Sequence, residues 1–266
     1  MAEASVGGDA VTRFATLVRA PNPGPMTLDG TNSYVLRAPG SAGVIVVDPG
    51  PSDAGHLRRL AEAGRVELVL LTHHHPDHSE ALAEFANLAD APARAIDPAF
   101  CIDAEPLVDS ERIEAAGLAL HVIATPGHTA DSVCFVLPDD GEHGSVLTGD
   151  TVLGRGTTII ADPDGALGPY LHSLGRLRAL GAIGGVTVLP GHGPVLGDLA
   201  AICDAYLAHR TERLDQIRAA LGELGSDAST EAVTDLVYAD TDASVRSAAE
   251  ASVRAQLRYL RGTESA

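Results

Sequence analysis

The chain of 266 residues contains no lysine and no tryptophan, and aromatic residues make up only 3% of it. Its basic residues are 18 arginines against 36 acidic residues, which gives a formal net charge of −18. Such a charge repels polyanions at long range, and it disfavours broad nucleic-acid binding, which depends on basic side chains that neutralise phosphates. The core must therefore be aliphatic, and a hydrophobic content of 45% is enough for a sizeable one.

Cysteine and long apolar runs are scarce as well. Cys101, Cys134 and Cys203 stand apart without CxxC spacing, which favours neither a disulfide framework nor a thiolate zinc site. We expect them to be small buried side chains. The first 14 residues lack the apolar run of a signal peptide, and no stretch is long enough to cross a membrane. These absences predict a cytoplasmic protein that does not bind membranes.

Short apolar runs alternate with amphipathic stretches over most of the chain. Strands are predicted at residues 33–37, 44–48, 67–72, 119–123, 133–137, 145–148 and 186–189. Helices are predicted at residues 54–63, 79–88 and 170–180. Several strands are apolar throughout, which favours a layered α/β fold with sheets that are covered on both faces.

The pattern changes near Asp198. Residues 199–222, 230–237 and 243–260 have the apolar spacing of helices, and we find no clear strand among them. This predicts two domains, a catalytic α/β domain of residues 1–198 and a small helical domain of residues 199–266.

The segment after the predicted strand 67–72 carries four candidate metal ligands within six residues. His73 and His75 lie two positions apart, so an extended backbone turns both side chains to one side. Asp77 and His78 follow at the start of the next predicted helix. Imidazole and carboxylate are the usual ligands of zinc, so the segment indicates a metal site.

Three further candidate ligands each follow a predicted strand and have glycine beside them: His128, Asp150 and His192. Glycine permits the tight backbone that turns a side chain inward. A single histidine in a loop is more often structural or solvated than a ligand. Four strand ends that all present His or Asp rarely arise by chance, so together they predict a two-metal site. The other histidines, including His74, are not expected to be ligands.

This set of residues, His73-x-His75-x-Asp77-His78 with His128, Asp150 and His192, resembles the motif of the metallo-β-lactamase superfamily. The resemblance implies a four-layer αβ/βα sandwich with the site at the edge of the strands. It implies that His73, His75 and His128 hold one metal ion, that Asp77, His78 and His192 hold the other, and that Asp150 bridges them. Two zinc ions are implied, with iron or manganese as alternatives.

Both ends of the chain resemble one group of this superfamily, the beta-lactamase-like protein 2 group. The matching residues are Asn22-Pro23, Thr27-Leu28-x-Gly30-Thr31-Asn32-Ser33-Tyr34, His209-Arg210, Val237-Tyr238 and Ala248-Ala249. The resemblance implies a winged-helix-like C-terminal unit and, from some members, an endoribonuclease selective for single strands. We therefore predict a dinuclear hydrolase in which a water activated by two metal ions attacks a phosphodiester of single-stranded RNA, with Asp77 to orient the water or accept its proton.

Other functions stay open at this stage. Glyoxalase II shares the seven ligands, which makes thioester hydrolysis the alternative, with Arg210, Arg254 or Arg258 as candidates to bind the thiol cofactor. β-Lactam hydrolysis is expected only as a weak side activity, because true lactamases of the superfamily generally lack the carboxylate of Asp150. Flavodiiron proteins carry Glu where His75 stands, whereas an iron persulfide dioxygenase shares the motif. The C-terminal unit either binds nucleic acid, packs on the catalytic domain or supports a homodimer.

Overall fold

The computed structural model describes residues 7–160, 163–239 and 246–262. The strands in these ranges are β1 (Asp9–Ala10), β2 (Ala15–Arg19), β3 (Asn32–Leu36), β4 (Gly43–Val47), β5 (Arg65–Leu70), β6 (Ala93–Arg94), β7 (Arg112–Ala115), β8 (Leu118–Ala124), β9 (Val133–Leu137), β10 (Ser145–Gly149) and β11 (Thr187–Pro190). The α-helices are α1 (Ala54–Ala61), α2 (Pro76–Ser79), α3 (Leu82–Ala89), α4 (Leu167–Leu180), α5 (Leu199–Leu224), α6 (Thr230–Val237) and α7 (Arg246–Arg261).

The strands form two sheets. One has the order β1-β2-β3-β4-β5-β6 and the other the order β11-β10-β9-β8-β7. Strands β4, β5 and β6 are parallel to one another, as are β10 and β11. The remaining neighbours are antiparallel. Parallel neighbours bring their carboxyl ends to the same edge of a sheet, and this edge is where the candidate ligands follow.

Three apolar clusters separate four layers. The first, with Leu36 and Phe135, fills the space between the two sheets. The second packs α1 and α3 on the outer face of the first sheet through residues such as Phe85. The third packs α4 and α5 on the outer face of the other sheet through Leu174 and Cys203. This helix–sheet–sheet–helix order confirms the predicted α/β sandwich, and burial on both faces explains the strands that are apolar throughout.

The seven predicted strands are confirmed as β3, β4, β5, β8, β9, β10 and β11, with ends within two residues of the prediction. The sequence does not predict β1, β2, β6 or β7. Two of these, β1 and β6, have only two residues each, which is too short for any periodicity to show. Cys134 and Cys203 are buried as predicted, whereas Cys101 is only partly buried.

The helix predicted over residues 79–88 is confirmed as α3 from Leu82 onward, but its predicted start is wrong, because Ser79 ends the separate short helix α2. The backbone around Gly50 takes the hydrogen bonds that a continuous helix would use. Its N–H donates to the carbonyl of His78 at 3.0 Å, and its carbonyl accepts from the N–H of Ala81 at 3.1 Å. Pro76 at the first position of α2 explains why that helix begins before the predicted start.

The C-terminal helices agree with the predicted ones, although residues 243–245 of the third lie outside the described residues. Ile217, Val233 and Val253 form a small core of their own, whereas Leu199 and Cys203 of α5 join the core of the second sheet. After residue 198 the described residues form helices and no strand, so the winged-helix detail is not confirmed.

The two-domain division at residue 198 stays a prediction, and residues 1–6, 161–162, 240–245 and 263–266 of its two ranges are not described. None of the described helices has the length and apolar character that a bilayer crossing needs.

Candidate metal centre

All seven predicted ligands lie together at one edge of the sandwich. Their atoms form two groups, in each of which they lie within 4.8 Å of one another. One group contains His73, His75, His128 and Asp150, and the other contains Asp77, His78 and His192. The structure thus brings together the same sets that the resemblance implies.

Asp150 contacts both groups. Its Oδ2 lies 3.7 Å from Nε2 of His128 and 3.4 Å from Nε2 of His192. Its Oδ1 is buried and has no hydrogen-bond partner among the described residues. A buried carboxylate oxygen without a donor is costly unless a cation accompanies it. This position is therefore suited to bridging two metal ions.

In four of the histidines, Nδ1 forms a hydrogen bond with an oxygen atom that lies outside the two groups. Nδ1 of His128 lies 2.5 Å from the carbonyl oxygen of Ile159, and Nδ1 of His192 lies 3.4 Å from that of Gly30. Because a carbonyl only accepts, each Nδ1 carries the proton. In the neutral ring Nε2 then presents its lone pair to the centre, which is how second-shell hydrogen bonds orient metal ligands.

Asp48 fixes the other two rings. Its Oδ2 lies 2.9 Å from Nδ1 of His78 and accepts the hydroxyl proton of Thr72 at 2.7 Å. Since the Thr72 hydroxyl donates its hydrogen bond to Asp48, its oxygen accepts a hydrogen bond from Nδ1 of His73, 3.0 Å away. Nε2 of His73 and of His78 consequently face the centre as well.

The inward lone pairs face one another at short distances. Nδ1 of His75 lies 3.1 Å from Nε2 of His73 and 3.0 Å from Nε2 of His128. Nε2 of His78 lies 3.2 Å from Nε2 of His192. Facing acceptors repel unless a proton or a metal ion lies among them. The donor set therefore fits a dinuclear metal site, although His and Asp do not select one metal.

The two groups differ in their electrostatics. Burial lowers the pKa of His73 well below its usual range and that of His75 to about 4, so both rings are neutral at neutral pH. Burial alone would also lower the pKa of His78 and His192. Hydrogen bonds and charges from the nearby carboxylates, above all Asp150, outweigh it and raise the pKa of His78 well above its usual range and that of His192 to about 9. The second group therefore favours a positive charge between its inward nitrogens, which either a proton or a metal ion supplies.

Asp48 is the main site residue that sequence reasoning missed. It follows β4 directly, in the same way as Asp150 follows β10, and its φ of 54° is one that Asp tolerates better than most residues. Its place at a strand end in Asp48-Pro49-Gly50 was the available signal. The apolar pattern instead places Asp48 as the last residue of the predicted strand 44–48.

The Thr31–Tyr34 segment, which the sequence offered only as a family likeness, supports the site directly. The Thr31 hydroxyl donates to Oδ2 of Asp77 at 3.0 Å. The Asn32 amide donates to the carbonyls of Pro190 and Gly193, both at 2.9 Å, and the hydroxyl of Tyr34 donates to that of Pro190 at 2.9 Å. These bonds position the loop that carries His192.

Glycine is required beside the ligands for two different reasons, backbone conformation and space. Gly127 and Gly149 have φ values of 141° and 47°, in the region that favours glycine. Gly191 is needed for space instead, because a Cβ there would lie 2.5 Å from Oδ1 of Asp150 and 2.8 Å from Cε1 of His78.

His74 points away from both groups, and its Nδ1 lies 2.8 Å from Oδ1 of Asp131. With Asp164 these residues form a third set of possible ligand atoms within 4.8 Å of one another. The sequence did not predict that set.

A cleft of about 420 Å³ opens over the candidate ligands. Its floor contains His75, Asp77, His128, Asp150 and His192. Its opposite wall is mostly apolar and is contributed by a loop near the start, the loop before α4 and the first turns of α7: Met26, Ile159, Ile160, Ser247, Ala248 and Ala251. None of the described residues that line the cleft is an arginine.

Comparison with known proteins identifies the class. Residues 26–192 match the family description of the metallo-beta-lactamase superfamily, and the chain belongs to that superfamily. Together with the clustered His and Asp residues, this membership makes the protein a metal-dependent hydrolase.

The similarity to particular relatives extends beyond residues 26–192. The chain is 34% identical over 271 residues to "Beta-lactamase-like protein 2 homolog" of Caenorhabditis elegans, with 95% of this chain and 84% of that protein covered, which confirms the predicted likeness. It is 30% identical over 231 residues to "Atrochrysone carboxyl ACP thioesterase" of Aspergillus fumigatus, with 84% and 69% covered. A metallo-beta-lactamase family protein from Thermus thermophilus shares the fold, with a TM-score of 0.75, 24% identity and 95% of both chains covered.

Proposed function

We propose that this protein hydrolyses thioesters with an apolar acyl group. The observation that carries the proposal is the cleft over the candidate ligands, whose wall of Met26, Ile159, Ile160 and Ala251 offers apolar contacts and, among the described residues, no lysine or arginine. A nucleic-acid backbone requires arginine or lysine along its path. An acyl chain requires an apolar wall beside a reactive centre, and that is what the cleft provides.

In this proposal His73, His75 and His128 would hold one divalent ion, Asp77, His78 and His192 would hold a second, and Asp150 would be shared between them. We propose zinc, with iron or manganese as alternatives. Two such ions supply a water of lowered pKa and stabilise negative charge that develops on the substrate oxygen.

The chain itself orients the reacting groups. Burial would raise the pKa of Asp77, but the neighbouring His192 and His78 lower it to about 2. Asp77 is therefore a carboxylate at neutral pH. Oδ2 already accepts from Thr31, which leaves its other lone pairs to orient a water at the cleft floor. We assign Asp77 this catalytic role.

The proton requirement of the leaving group also favours a thioester over a substrate that releases an alkoxide. A thiol ionises near pH 8.5, so it departs as a thiolate without a proton from the protein. The described residues of the cleft include Ser247 but no lysine, tyrosine or unengaged carboxylic acid suited to protonating an alkoxide. The relative named as an acyl carrier protein thioesterase supports this substrate class.

Cleavage of single-stranded RNA, which the sequence resemblance predicts, is the second candidate. It is favoured by Arg210 and Arg213, which line a cavity next to the cleft and can contact phosphate. The net charge of −18 and the apolar cleft wall argue against it. A cytoplasmic location and a homodimer stay predictions.

The test compares substrates on one metal-loaded sample of measured metal content. Decanoyl and acetyl thioesters, end-labelled single-stranded RNA and a chromogenic β-lactam are assayed with and without chelator. We expect chelator-sensitive hydrolysis of the decanoyl thioester, with the highest kcat/KM of the four. His75→Ala should abolish it, whereas His172→Ala, on the exposed face of α4, should not.

Chelator-sensitive cleavage of RNA without thioester hydrolysis would replace the proposal by the second candidate. Thioester hydrolysis that survives in His75→Ala would show that the reaction takes place elsewhere.

A further inference from the structure

Asn22 closes a loop that reaches from the cleft wall to the candidate metal centre. Its side chain joins the two ends of residues 22–31, because Oδ1 accepts from the backbone N–H of Thr31 at 2.9 Å and Nδ2 donates to the Thr31 hydroxyl at 3.0 Å. The Thr27 hydroxyl donates to the carbonyl of Asn22 at 2.6 Å and braces the loop from within. Met26, which lines the cleft, lies in this loop. The loop therefore connects a wall of the cleft with Thr31.

The two hydrogen bonds of the Asn22 amide fix the direction of a third. The backbone N–H of Thr31 can only donate, so the atom that it meets is the amide oxygen. The amide nitrogen must then face the Thr31 hydroxyl and donate to it. The hydroxyl oxygen accepts this bond and directs its own proton to Oδ2 of Asp77, 3.0 Å away. Thr31 is fully buried, so solvent does not compete for that proton.

The oxygen that Thr31 holds is the one that faces the second group of candidate ligands. Oδ2 of Asp77 lies 3.2 Å from Nε2 of His192. A hydrogen bond at Oδ2 limits rotation of the carboxylate and keeps this oxygen at the second group. The carbonyl of Gly30, one residue before Thr31, lies 3.4 Å from Nδ1 of His192. The loop that Asn22 closes thus orients two members of this group.

We propose that Asn22 is a positioning residue of the metal centre, whose amide makes the Thr31 hydroxyl a donor to Asp77. With an acceptor in place of the amide nitrogen, the Thr31 proton would turn towards Asn22's position and the hydroxyl oxygen would present lone pairs to Asp77. The inference rests on the role of Asp77 in the proposed thioester hydrolysis, although the hydrogen bonds that carry it do not involve the substrate.

Asn22→Asp tests this direction, because it replaces only the donor by an acceptor. The shape of the side chain and the oxygen that accepts from the Thr31 N–H are retained, so the loop still closes. We expect the affinity for zinc to fall by about 10-fold or more, as for other groups that orient ligands. An added negative charge would by itself raise the affinity for a cation. Competition with a chromophoric chelator measures the affinity.

A double-mutant cycle shows whether Asn22 acts through Thr31. Thr31→Val removes the hydroxyl at similar size and should also weaken zinc binding, whereas Thr31→Ser should recover most of the loss. In the Thr31→Val background, Asn22→Asp should lower the affinity no further, because the hydroxyl between them is absent. A further fall as large as that in the wild type would overturn the inference, since Asn22 would then act on the centre without Thr31.

The matched control is Asn87→Asp, which adds the same charge at an exposed residue of α3 that does not line the cleft. It should not lower the zinc affinity. An unchanged affinity in Asn22→Asp would overturn the inference, as would an equal fall in the control.

Kinetics on the zinc-loaded proteins separate this inference from the proposed function. With the decanoyl thioester, Asn22→Asp should lower kcat and leave KM nearly unchanged, because Asp77 orients the water and does not bind the acyl chain. A raised KM with an unchanged kcat would show that the loop serves only the cleft wall, and it would overturn the inference. If no thioester is cleaved, the proposed function fails and the zinc affinities still decide the role of Asn22. Hydrolysis with equal zinc affinities and equal kcat in Asn22→Asp and the wild type leaves the proposed function intact and rejects that role.

Discussion

Asp48 accepts a hydrogen bond from His78, with 2.9 Å between Oδ2 and Nδ1 and both side chains buried. The same carboxylate accepts from the backbone N–H and the hydroxyl of Thr72, each at 2.7 Å. One residue outside the candidate ligand set thus joins the ends of β4 and β5 and orients a histidine of each proposed metal position, His78 directly and His73 through Thr72.

Asp48→Asn should weaken metal binding by about 10- to 100-fold, as is usual for second-shell partners. An amide oxygen replaces one accepting oxygen, but the NH₂ group cannot accept from the remaining donors. Competition with a chromophoric chelator measures the affinity. Asp90→Asn is the control, because Asp90 is exposed at the end of α3 with a φ of 49° that Asn also tolerates. Equal affinities in the two variants would contradict the assigned role.

Gly191→Ala should disrupt the site while the fold is retained. The added Cβ would lie 2.5 Å from Oδ1 of Asp150, so the carboxylate must shift. We expect a loss of bound metal and a fall in kcat of about 10-fold or more, since displaced groups lose their alignment. Metal analysis and circular dichroism check both points. Gly197→Ala should show neither effect, because nothing lies within 4 Å of its Cβ position.

Asp150→Asn should reduce the bound metal from two ions per chain to one or none. The variant keeps the shape of the side chain but removes the charge that contacts both groups. We expect kcat to fall by about 100-fold or more, equivalent to about 2.7 kcal/mol of transition-state stabilisation. Elemental analysis of dialysed protein gives the stoichiometry. Two ions retained per chain would show that Asp150 is not the bridge.

His56 should make stability depend on pH. Burial, helped by the charge of Arg59, lowers the pKa of His56 from 6.5 to about 4, and its Nε2 lies 2.8 Å from Oγ of Ser33. Below pH 6.5 His56 binds a proton in the unfolded chain, but in the folded chain it stays neutral until about pH 4. The contribution of neutral His56 to the stability of the fold is therefore present above pH 6.5 and is lost as the pH falls towards 4.

His56→Gln cannot titrate, so its comparison with the wild type isolates this effect. At pH 7 the wild type should be the more stable protein, and its advantage should shrink by about 1–2 kcal/mol at pH 5. Urea denaturation of both metal-loaded proteins at the two pH values measures the difference. An advantage that is the same at both values would show that His56 does not titrate between them.

Much of the architecture is local enough to be predicted. Strands such as β4 and β9 are apolar throughout, and this pattern fixes them regardless of their neighbours. The break between α2 and α3 is different, because it depends on hydrogen bonds with Gly50, which is distant in sequence. Periodicity contains no information about such a partner.

The sequence by itself determined the chemistry of the site: seven His and Asp residues at strand ends, in a motif that indicates a metal-dependent hydrolase. Only the tertiary structure decided how they are supported and what surrounds them. The alignment of Asp48 with His78 and the apolar wall over the ligands arise where separate segments meet. Ligand type is a property of each residue, whereas orientation, burial and cavity lining are properties of residues brought together by folding.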